Sequence, residues 1–555
     1  MTTESAPKPA SGALEPLREP AFRRLWIANV ASNIGQMIAG VGAAWTMTEL
    51  AGRADMVALV QTAQLAPVML LALPAGAVAD MFDRRKVALV SLSLALAGAT
   101  VMSVLAGLQM LNPALILALT FLMGSAMAVY NPSWQASVSG QVPSSQVAAA
   151  IALKTVGFNV ARSIGPAIGG LVVVLAGPTP AFALNALLLV PLMVVFWRWR
   201  QVAESPRLPP ERLGGAIIAG VRYVANSPAI RGVLCRTLIT AVLGGSLYGL
   251  LPLIARDLPG GDASTYGLLL GSFGVGAITG AVASTRLRTL FSSESMVRFM
   301  AITTAAALGV MAISNILLLT QLALLLAGAA WMIGTTTFNV SVQVAAPRWV
   351  AGRAVAMFQA AMAGGLAIGS GVWGMLAQAL GHETALLISG VSLALSTVIG
   401  LWLPLPLRAR PAVEAETLPE PDVGMALTPR SGPIQVEIEY RVPRPKARAF
   451  WLFMQQVGFG RRRNGAYDWS LARDIAEPEV WVESYSCPTW LDYLRQRSRT
   501  TQAERDLHQR AREFQVEDQP IRIRRRLERP FGSVRWRDDA PDRGFDVAPL
   551  SGPGA

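Results

Sequence analysis

The chain has 555 residues, of which 52% are hydrophobic and only 15% are charged. This balance excludes an ordinary soluble domain, in which about a quarter of the residues are charged, and it favours a membrane protein. Two cysteines far apart in sequence and two histidines argue against a disulfide framework or a metal site, and no cofactor is predicted.

Residues 1–21 are polar and proline-rich, without the short apolar core of a signal peptide, so we expect a cytoplasmic N-terminal tail. Twelve apolar stretches follow, each long enough to cross a bilayer, which takes about 20 residues. They lie near 25–48, 56–79, 87–108, 113–134, 148–176, 179–197, 237–255, 264–285, 299–319, 320–346, 354–381 and 384–403. Each is predicted to be a helix, because backbone groups in lipid must be satisfied within the segment.

Arginine and lysine concentrate in alternate loops between these stretches. The first two such loops contain Arg18, Arg23, Arg24, Arg84, Arg85 and Lys86. By the positive-inside rule, both termini are expected in the cytoplasm. Much of the net charge of +13 then comes from basic residues that set the orientation of the chain in the membrane, so nucleic acid is not an expected partner.

The chain also repeats itself with a shift of 204 residues. The shift places Pro143 on Pro347, Gly165 on Gly369 and Gly170 on Gly374. Several coincidences in one register predict two six-helix halves, 22–197 and 231–405, related by a parallel repeat. Residues 198–230 are predicted to be a cytoplasmic connector between them.

A composition change after the second half predicts a small soluble domain. Residues 406–433 are proline-rich and indicate a linker, residues 434–530 form the domain, and 531–555 form a tail. Alternating stretches such as IQVEIEYRV predict strands, PKARAFWLFMQQVG predicts a helix, and TWLDYLRQRSRTTQAERDLHQRAREF predicts one long helix. The order β-α-β-β-α-β is that of a ferredoxin-like α+β domain.

Polar residues inside the spans are the candidates for function, because an ionisable group in lipid is expensive. Arg162 lies well inside the fifth span, with Asn159 on the same face, and the first span carries Asn29, Asn33 and Gln36 at helical spacing. Two interpretations of Arg162 stay open. It either attracts an anionic or hydrogen-bonding substrate group in a central cavity, or it is structural and bonds neighbouring helices.

Coupling and helix packing depend on other residues. The middle of the spans holds no acid, so Glu49, at the outer end of the first span, is the candidate proton site, with a simply solvated carboxylate as the alternative. Gly165, Pro166, Gly169 and Gly170 are predicted to allow close helix approach and bending.

Two motifs carry a resemblance to a known family. The segment GAVADMFDRRK resembles the loop motif GxxxD(R/K)xGRR/K of the major facilitator superfamily, with departures at Met81 and Asp83. The positions that match are Gly76, Asp80, Arg84 and Arg85. In the fifth span, Gly165, Pro166, Gly169 and Gly170 match the GPxxGG end of a second motif of exporters in this superfamily. With the twelve spans and the repeat, the first 405 or so residues resemble its drug-exporter and siderophore-exporter branch.

The resemblance implies an all-α protein of twelve helices in the inner membrane of a bacterium. It further implies that the protein exports a small amphipathic or anionic metabolite by alternating access and is not itself an enzyme. It also implies that Tyr130, Asn131, Tyr248 and Asn339 face the substrate cavity. The loop motif would act as a latch on the cytoplasmic side. From the residues themselves we expect Asp83 to cap the third helix and Asp80 to pair with Arg84.

The fourth span lacks the arginine typical of drug-proton antiporters, so proton coupling and facilitated diffusion both stay open. The C-terminal domain resembles extensions of such exporters and the antibiotic-biosynthesis monooxygenase fold, which often dimerises. It is therefore either an enzyme acting on the exported metabolite or a dimerisation or regulatory module.

Overall fold

The computed structural model describes residues 14–138, 141–199, 213–405, 421, 423–425, 427–516 and 521–528. The predicted N-terminal tail, connector and linker are therefore described only in part, and the tail 531–555 lies outside the described residues. Contacts divide the chain into a helical unit of Met1–Ile217, Gly232–Val342 and Val355–Arg408 and a second unit of Ile218–Arg231, Gln343–Ala354 and Ala409–Ala555.

The helical unit contains the long helices expected from the apolar stretches. In chain order they are α1 (Pro20–Ala51), α2 (Ala54–Met81), α3 (Arg84–Gly107), α4 (Pro113–Val138), α5 (Val147–Ala176) and α6 (Pro178–Arg198), then α7 (Leu213–Ala225), which begins in the connector. They continue with α8 (Pro228–Gly244), α9 (Ser246–Gly249), α10 (Leu251–Asp257), α11 (Ala263–Leu290), α12 (Ser293–Ile313), α13 (Leu317–Ala345), α14 (Arg348–Leu380), α15 (His382–Leu395) and α16 (Ile399–Trp402).

Among the described residues, eleven helices are long and apolar enough to cross a membrane. The first expected span falls on α1, which has 32 residues but is not one of the eleven. Its interior carries Asn29, Asn33 and Gln36, which lower its apolar character. The helical architecture is thus confirmed, and eleven of the twelve predicted spans meet the criterion of length and composition.

Local sequence sets the ends of these helices. Asp83 accepts hydrogen bonds from the backbone N–H groups of Arg85 and Lys86 at 2.9 and 3.3 Å and so caps α3, as predicted. Asp262 caps α11 in the same way through Thr265. Such caps satisfy backbone donors that have no partner within the first helical turn.

The seventh span, predicted near 237–255, is one membrane-length helical segment, Pro228–Asp257, whose helical pattern is interrupted twice. It consists of α8, α9 and α10, with the first interruption at Gly245 and with Pro252 near the start of α10. A Cβ on Gly245 would lie 2.8 Å from the backbone of Gly369 and Ser370, so close packing against α14 requires glycine here. Glycine and proline inside the apolar run therefore interrupt the helix where another backbone approaches.

The second unit is built around a four-stranded antiparallel sheet in the order β2-β3-β1-β4. Its elements are β1 (Ile434–Arg441), α17 (Ala447–Arg463), β2 (Tyr467–Arg473), β3 (Val480–Cys487), α18 (Trp490–Ser498), α19 (Gln502–Arg512) and β4 (Arg522–Leu527). Alternate residues of β1 are buried under the helices, as its apolar-polar alternation predicts.

The single long helix predicted near 489–514 is two helices. Thr501 accepts from the backbone N–H of Glu504, whose side chain accepts in return from the backbone N–H of Thr501. This capping box starts a new helix, α19, and ends the continuity of the helical pattern.

Two segments from the helical sequence belong to this second unit. Tyr223 of α7 packs edge-on against Trp349, with ring centres 5.2 Å apart. Arg463 at the end of α17 lies over Tyr223 at 5.3 Å, and Arg499 between α18 and α19 lies over Trp349 at 4.1 Å. Cation–π contacts thus hold α7 and the segment Gln343–Ala354 against the α+β domain.

Candidate functional site

Arg162 lies on α5, beside the polar face of α1. The two helices pack in parallel, because Gly157 faces Val30 while Gly165, eight residues later, faces Met37. Arg162 falls between these two contacts and is therefore about level with the polar residues of α1.

The guanidinium of Arg162 meets an aromatic wall from the other half of the chain. Its Cζ atom lies 5.8 Å from the ring centre of Phe273 on α11. Tyr248 packs edge-on against the same ring at 5.4 Å, and Trp331 on α13 lies 6.4 Å from Tyr248. Nε and Nη2 of Arg162 are buried and have no hydrogen-bond partner among the described residues. The arginine therefore has unused donors in a place where donors are normally satisfied.

The broken seventh span positions Tyr248. Side chains from α14 and α15 satisfy the carbonyl groups next to the break: Trp373 donates to Val242 at 2.9 Å, Ser389 to Leu243 at 2.6 Å and Ser370 to Gly245 at 3.2 Å. A break in a membrane helix needs such partners, because lipid offers none. Interrupted helices near the middle of the bilayer often form the binding sites of transporters.

Several of the polar residues predicted to line a cavity in the first half lie close together. Tyr130 is 1% exposed, and its hydroxyl donates to Oδ1 of Asn29 at 3.2 Å. Asn33 and Asn159 are also buried, and Oδ1 of Asn159 has no partner among the described residues. Gln36 is half-buried. These residues form a polar strip on the inner faces of α1, α4 and α5.

Two other predicted cavity residues do not join this group directly. Asn131 is exposed and follows Tyr130 on α4, so it points about 100° away around the helix. Asn339 is half-buried on α13, about two turns beyond Trp331. A cavity role for either residue stays a prediction.

The sequence reading missed three residues of this region. Lys154 of α5 lies with its Nζ 4.6 Å from the ring centre of Trp134 on α4, one turn beyond Tyr130. The argument that singled out Arg162 applies equally to Lys154, an ionisable residue within the fifth apolar stretch. Phe273 and Trp331 gave no signal, because aromatic residues are common in membrane helices.

Glu49 lies at the exposed end of α1. Its Oε1 accepts a hydrogen bond from Nε1 of Trp45 at 2.7 Å. The carboxylate of Glu49 thus lies at the surface and accepts from one uncharged donor. Both interpretations of Glu49, a proton site and a simply solvated carboxylate, stay open.

The glycines of the exporter motif face two different helices. A Cβ on Gly165 would lie 2.6 Å from Cβ of Met37, and one on Gly169 would lie 2.9 Å from Cα of Ile38, both on α1. Gly170 instead faces Ala263 and Ser264 of α11, which belongs to the other half. The motif thus lets α5 approach one helix within its own half and one across the interface.

The repeated glycines do the same in the second half. Gly369 packs against α8, the first helix of its own half, and Gly374 packs against α2 of the other half, where a Cβ would lie 2.5 Å from Cβ of Ala58. Each pair of positions related by the shift of 204 therefore makes the corresponding contact. The repeat seen in sequence is a repeat of packing.

The loop motif lies against its own half. Nε of Arg85 donates to the carbonyl of Phe196 at 3.1 Å, and its Nη2 donates to that of Trp197, so the start of α3 is tied to the end of α6. A Cβ on Gly76 would have nothing within 4 Å. The side chain of Asp80 lies outside the described residues, and its pairing with Arg84 stays a prediction.

Comparison with known proteins agrees with this architecture. The chain is 23% identical over 395 residues to the multidrug efflux pump Tap of Mycolicibacterium fortuitum, covering 68% of this chain and 94% of the pump. It is 23% identical over 247 residues to the staphyloferrin A transporter of Staphylococcus aureus (strain NCTC 8325 / PS 47), covering 44% of this chain and only 62% of that transporter.

Solved structures show the same fold. A bacterial homologue of the human lysosomal transporter Spinster, in an inward-facing and unoccupied conformation, matches with a TM-score of 0.55 at 13% identity, over 72% of this chain and 96% of its own. A POT family transporter in complex with 5-aminolevulinic acid matches with a TM-score of 0.58 at 12% identity, over 69% and 96%.

The broadest match is to a family profile. The profile, described as transmembrane secretion effector, covers residues 11–531, which include both the helical unit and the α+β domain. The chain therefore belongs to the transmembrane secretion effector family of the major facilitator superfamily.

Proposed function

We propose that the protein is an exporter with twelve membrane-spanning helices that moves a small amphipathic or anionic compound out of a bacterial cell by alternating access. Both termini lie in the cytoplasm and the spans cross the inner membrane. The relatives named as a multidrug efflux pump and a siderophore transporter support a drug-like or siderophore-like substrate class.

The observation that carries this proposal is the buried guanidinium of Arg162. Its Nε and Nη2 atoms, which have no partner in the part of the chain that the structure describes, lie beside an aromatic ring from the other half. A bound compound could therefore use Arg162 on one side and Phe273 and Tyr248 on the other. A cation with unused donors attracts a carboxylate or another acceptor, and the rings accept an apolar body. A site shared between halves is what alternating access requires.

The contacts between halves support an arrangement closed on the outer side. Ala54 donates from its backbone to Gln378 at 3.0 Å, and Thr62 donates to the carbonyl of Ala367 at 2.8 Å. With the proposed orientation, these residues and Gly170 belong to the outer half of their helices. The site would then open to the cytoplasm in this conformation, ready to load.

The test of the proposed function is metabolite profiling of cells with and without the protein. The medium of expressing cells should gain a compound that the cells without the protein retain. Identical media, with the protein present in the membrane, would contradict export.

Coupling is proposed to use the proton gradient, with Glu49 as the candidate carboxylate. Collapsing the pH gradient across vesicles containing the protein should then stop uphill movement, and Glu49→Gln should have the same effect. Transport that continues only down its own gradient in both cases would favour facilitated diffusion.

For the C-terminal domain we infer a ferredoxin-like regulatory module rather than an enzyme. Its buried carboxylates are engaged: Glu483 accepts from Arg461, Tyr440 and Trp469, and Glu504 is held by Arg463 and the capping box. The module contacts the segment that leads into α14 through Arg499 and Trp349. A dimer through this domain is a further expectation, and the mass of the purified protein with and without residues 434–530 tests it.

A further inference from the structure

The α+β domain has a cavity of about 170 Å³, partly open to solvent, between one face of its sheet and the helices α17, α18 and α19. Val436 and Ile438 of β1 and Ile523 of β4 form part of its apolar floor. Tyr485 and Tyr493 add aromatic surface. A dry cavity of about 150 Å³ can take up a benzene molecule, so this one has room for a ligand of about one ring.

The charged groups around the cavity are mostly positive. Among the described residues that line it, five are arginines and one, Glu504, is a carboxylate. That carboxylate already accepts from Arg463 at 2.5 Å and from Asn464 at 2.9 Å. Arg525 stacks over Tyr493 and donates to its hydroxyl at 2.6 Å. The cavity therefore favours an anion over a neutral or cationic guest.

Two buried amides at the cavity each have a polar atom without a partner. Gln496 is 5% exposed, and its Oε1 accepts from the thiol of Cys487, which leaves Nε2 without a hydrogen bond among the described residues. Asn464 is 7% exposed and donates to Glu504, which leaves its Oδ1 likewise without one. An unpaired buried polar atom costs about 1–3 kcal/mol, so both atoms are suited to a ligand that supplies an acceptor and a donor.

His508 also lines the cavity. Burial, together with the charges of Arg461 and Arg512, lowers its pKa to about 2. The imidazole is thus uncharged at physiological pH and offers one donor and one acceptor to a ligand. The positive charge that faces the cavity comes from the arginines.

We propose that this cavity binds a small hydroxylated organic acid, a carboxylate on a flat body of about one ring that also carries a hydroxyl group. Nε2 of Gln496 donates to the carboxylate, and Oδ1 of Asn464 accepts from the hydroxyl group. The apolar floor and tyrosines hold the ring, the arginines attract the carboxylate, and the two amides gain their missing partners. The site lies outside the membrane helices and is independent of the proposed transport cavity.

The location gives this site a route to the rest of the chain. Thr500 lines the cavity, and its neighbour Arg499 lies over Trp349 at the start of α14. A ligand that orders the turn between α18 and α19 would also order this contact.

The experiment measures binding by calorimetry to the purified full-length protein in detergent, with benzoate, 4-hydroxybenzoate and the neutral isostere benzamide as probes. At about 5 mM even a site with a Kd of about 1 mM is mostly filled. We expect both acids to bind, 4-hydroxybenzoate the more tightly because its hydroxyl group can donate to Asn464. Benzamide should bind about tenfold more weakly than benzoate or not at all. Equal binding of acid and amide, or no binding of either acid, would overturn the proposal without requiring any variant.

Variants then locate the site. Gln496→Glu replaces the donor with a negative charge and should weaken benzoate binding about tenfold or more, while Gln502→Glu, the same change at an exposed position of α19, should leave it unchanged. Arg162→Ala removes the proposed membrane site, so benzoate binding that persists in this variant belongs to the α+β domain. Binding lost in Arg162→Ala but kept in Gln496→Glu would assign the ligand to the membrane cavity and refute the proposal.

Discussion

Replacing Gly170 with alanine should disturb the interface between the two halves. A Cβ at this position would lie 3.0 Å from Cα of Ser264 and closer still to the carbonyl oxygen of Ala263. Both neighbours are backbone atoms of α11, so no side-chain rotation can make room. The matched control is Gly40→Ala on α1, where a Cβ has nothing within 4 Å.

The size of the effect follows from two opposing terms. Alanine favours a helix over glycine by about 1 kcal/mol, which should make Gly40→Ala neutral or stabilising. Inserting a methyl group into a packed contact costs about 1–3 kcal/mol. For Gly170→Ala this cost acts only while α5 and α11 touch. A net penalty of about 2 kcal/mol would shift the population about 30-fold towards a conformation in which they are apart.

Pulsed EPR on the folded protein measures this shift. Spin labels are attached to cysteines that replace Leu175 at the end of α5 and Leu380 at the end of α14, both of which are exposed. The labelled protein also carries Cys235→Ser, because Cys235 is exposed and would take up label, whereas Cys487 is buried. The parent and Gly40→Ala should show mainly a short distance between the two labels, and Gly170→Ala should show mainly a longer one. Parent-like distances in a well-folded Gly170→Ala protein would refute the packing argument.

Three further predictions concern stability. Glu294→Gln removes the negative charge that pairs with Arg236, which is 3% exposed and bound to Glu294 at 2.6 and 3.0 Å. The free energy of unfolding, measured by thermal unfolding, should fall by about 3–5 kcal/mol, and the exposed control Glu383→Gln should leave it unchanged. The pKa of His508 is lowered from 6.5 to about 2, so the unfolded state takes up a proton first as the pH falls. The free energy of unfolding of the α+β unit, measured by hydrogen exchange, should therefore fall by up to about 2 kcal/mol between about pH 7.5 and 5. The same dependence of this free energy on pH in a His508→Gln protein would contradict this. Asp83→Ala removes the cap of α3 and should lower the free energy of opening of its first turn, measured by hydrogen exchange, by about 1 kcal/mol, whereas Asp83→Asn should not. Equal exchange in both variants would assign the order of that turn to other contacts.

The large-scale architecture was predictable because its signals are long and repeated. Apolar stretches of about 20 residues predict helices irrespective of detail. The shift of 204 residues identified Gly165 and Gly170 with Gly369 and Gly374, and the structure gives both pairs corresponding contacts. The burial pattern of β1 likewise follows directly from its alternation.

The site was only partly predictable, because polar residues in apolar stretches are visible and aromatic ones are not. Arg162, Asn29 and Tyr130 could be named from sequence, whereas Phe273, which joins Arg162 to Tyr248, could not. Lys154 is also recognisable from sequence, because it is an ionisable residue within an apolar stretch.

Two helix interruptions escaped prediction for a different reason. At Gly245 the glycine is visible in the sequence, but the close approach of α14 that requires it is a tertiary contact, which the local sequence does not reveal. The break before α19 was encoded by Thr501 and Glu504, but an otherwise continuous helical pattern hid the capping box.

The central claim is that Arg162 binds the exported compound, and one transport measurement tests it most directly. Everted vesicles containing the parent, Arg162→Ala or Arg256→Ala are compared for uptake of the compound that profiling identifies. Arg256 is the matched control, because it is an exposed arginine beside Asp257. We expect Arg162→Ala to lose uptake at normal membrane levels while Arg256→Ala matches the parent. Parent-like uptake by Arg162→Ala would contradict the account.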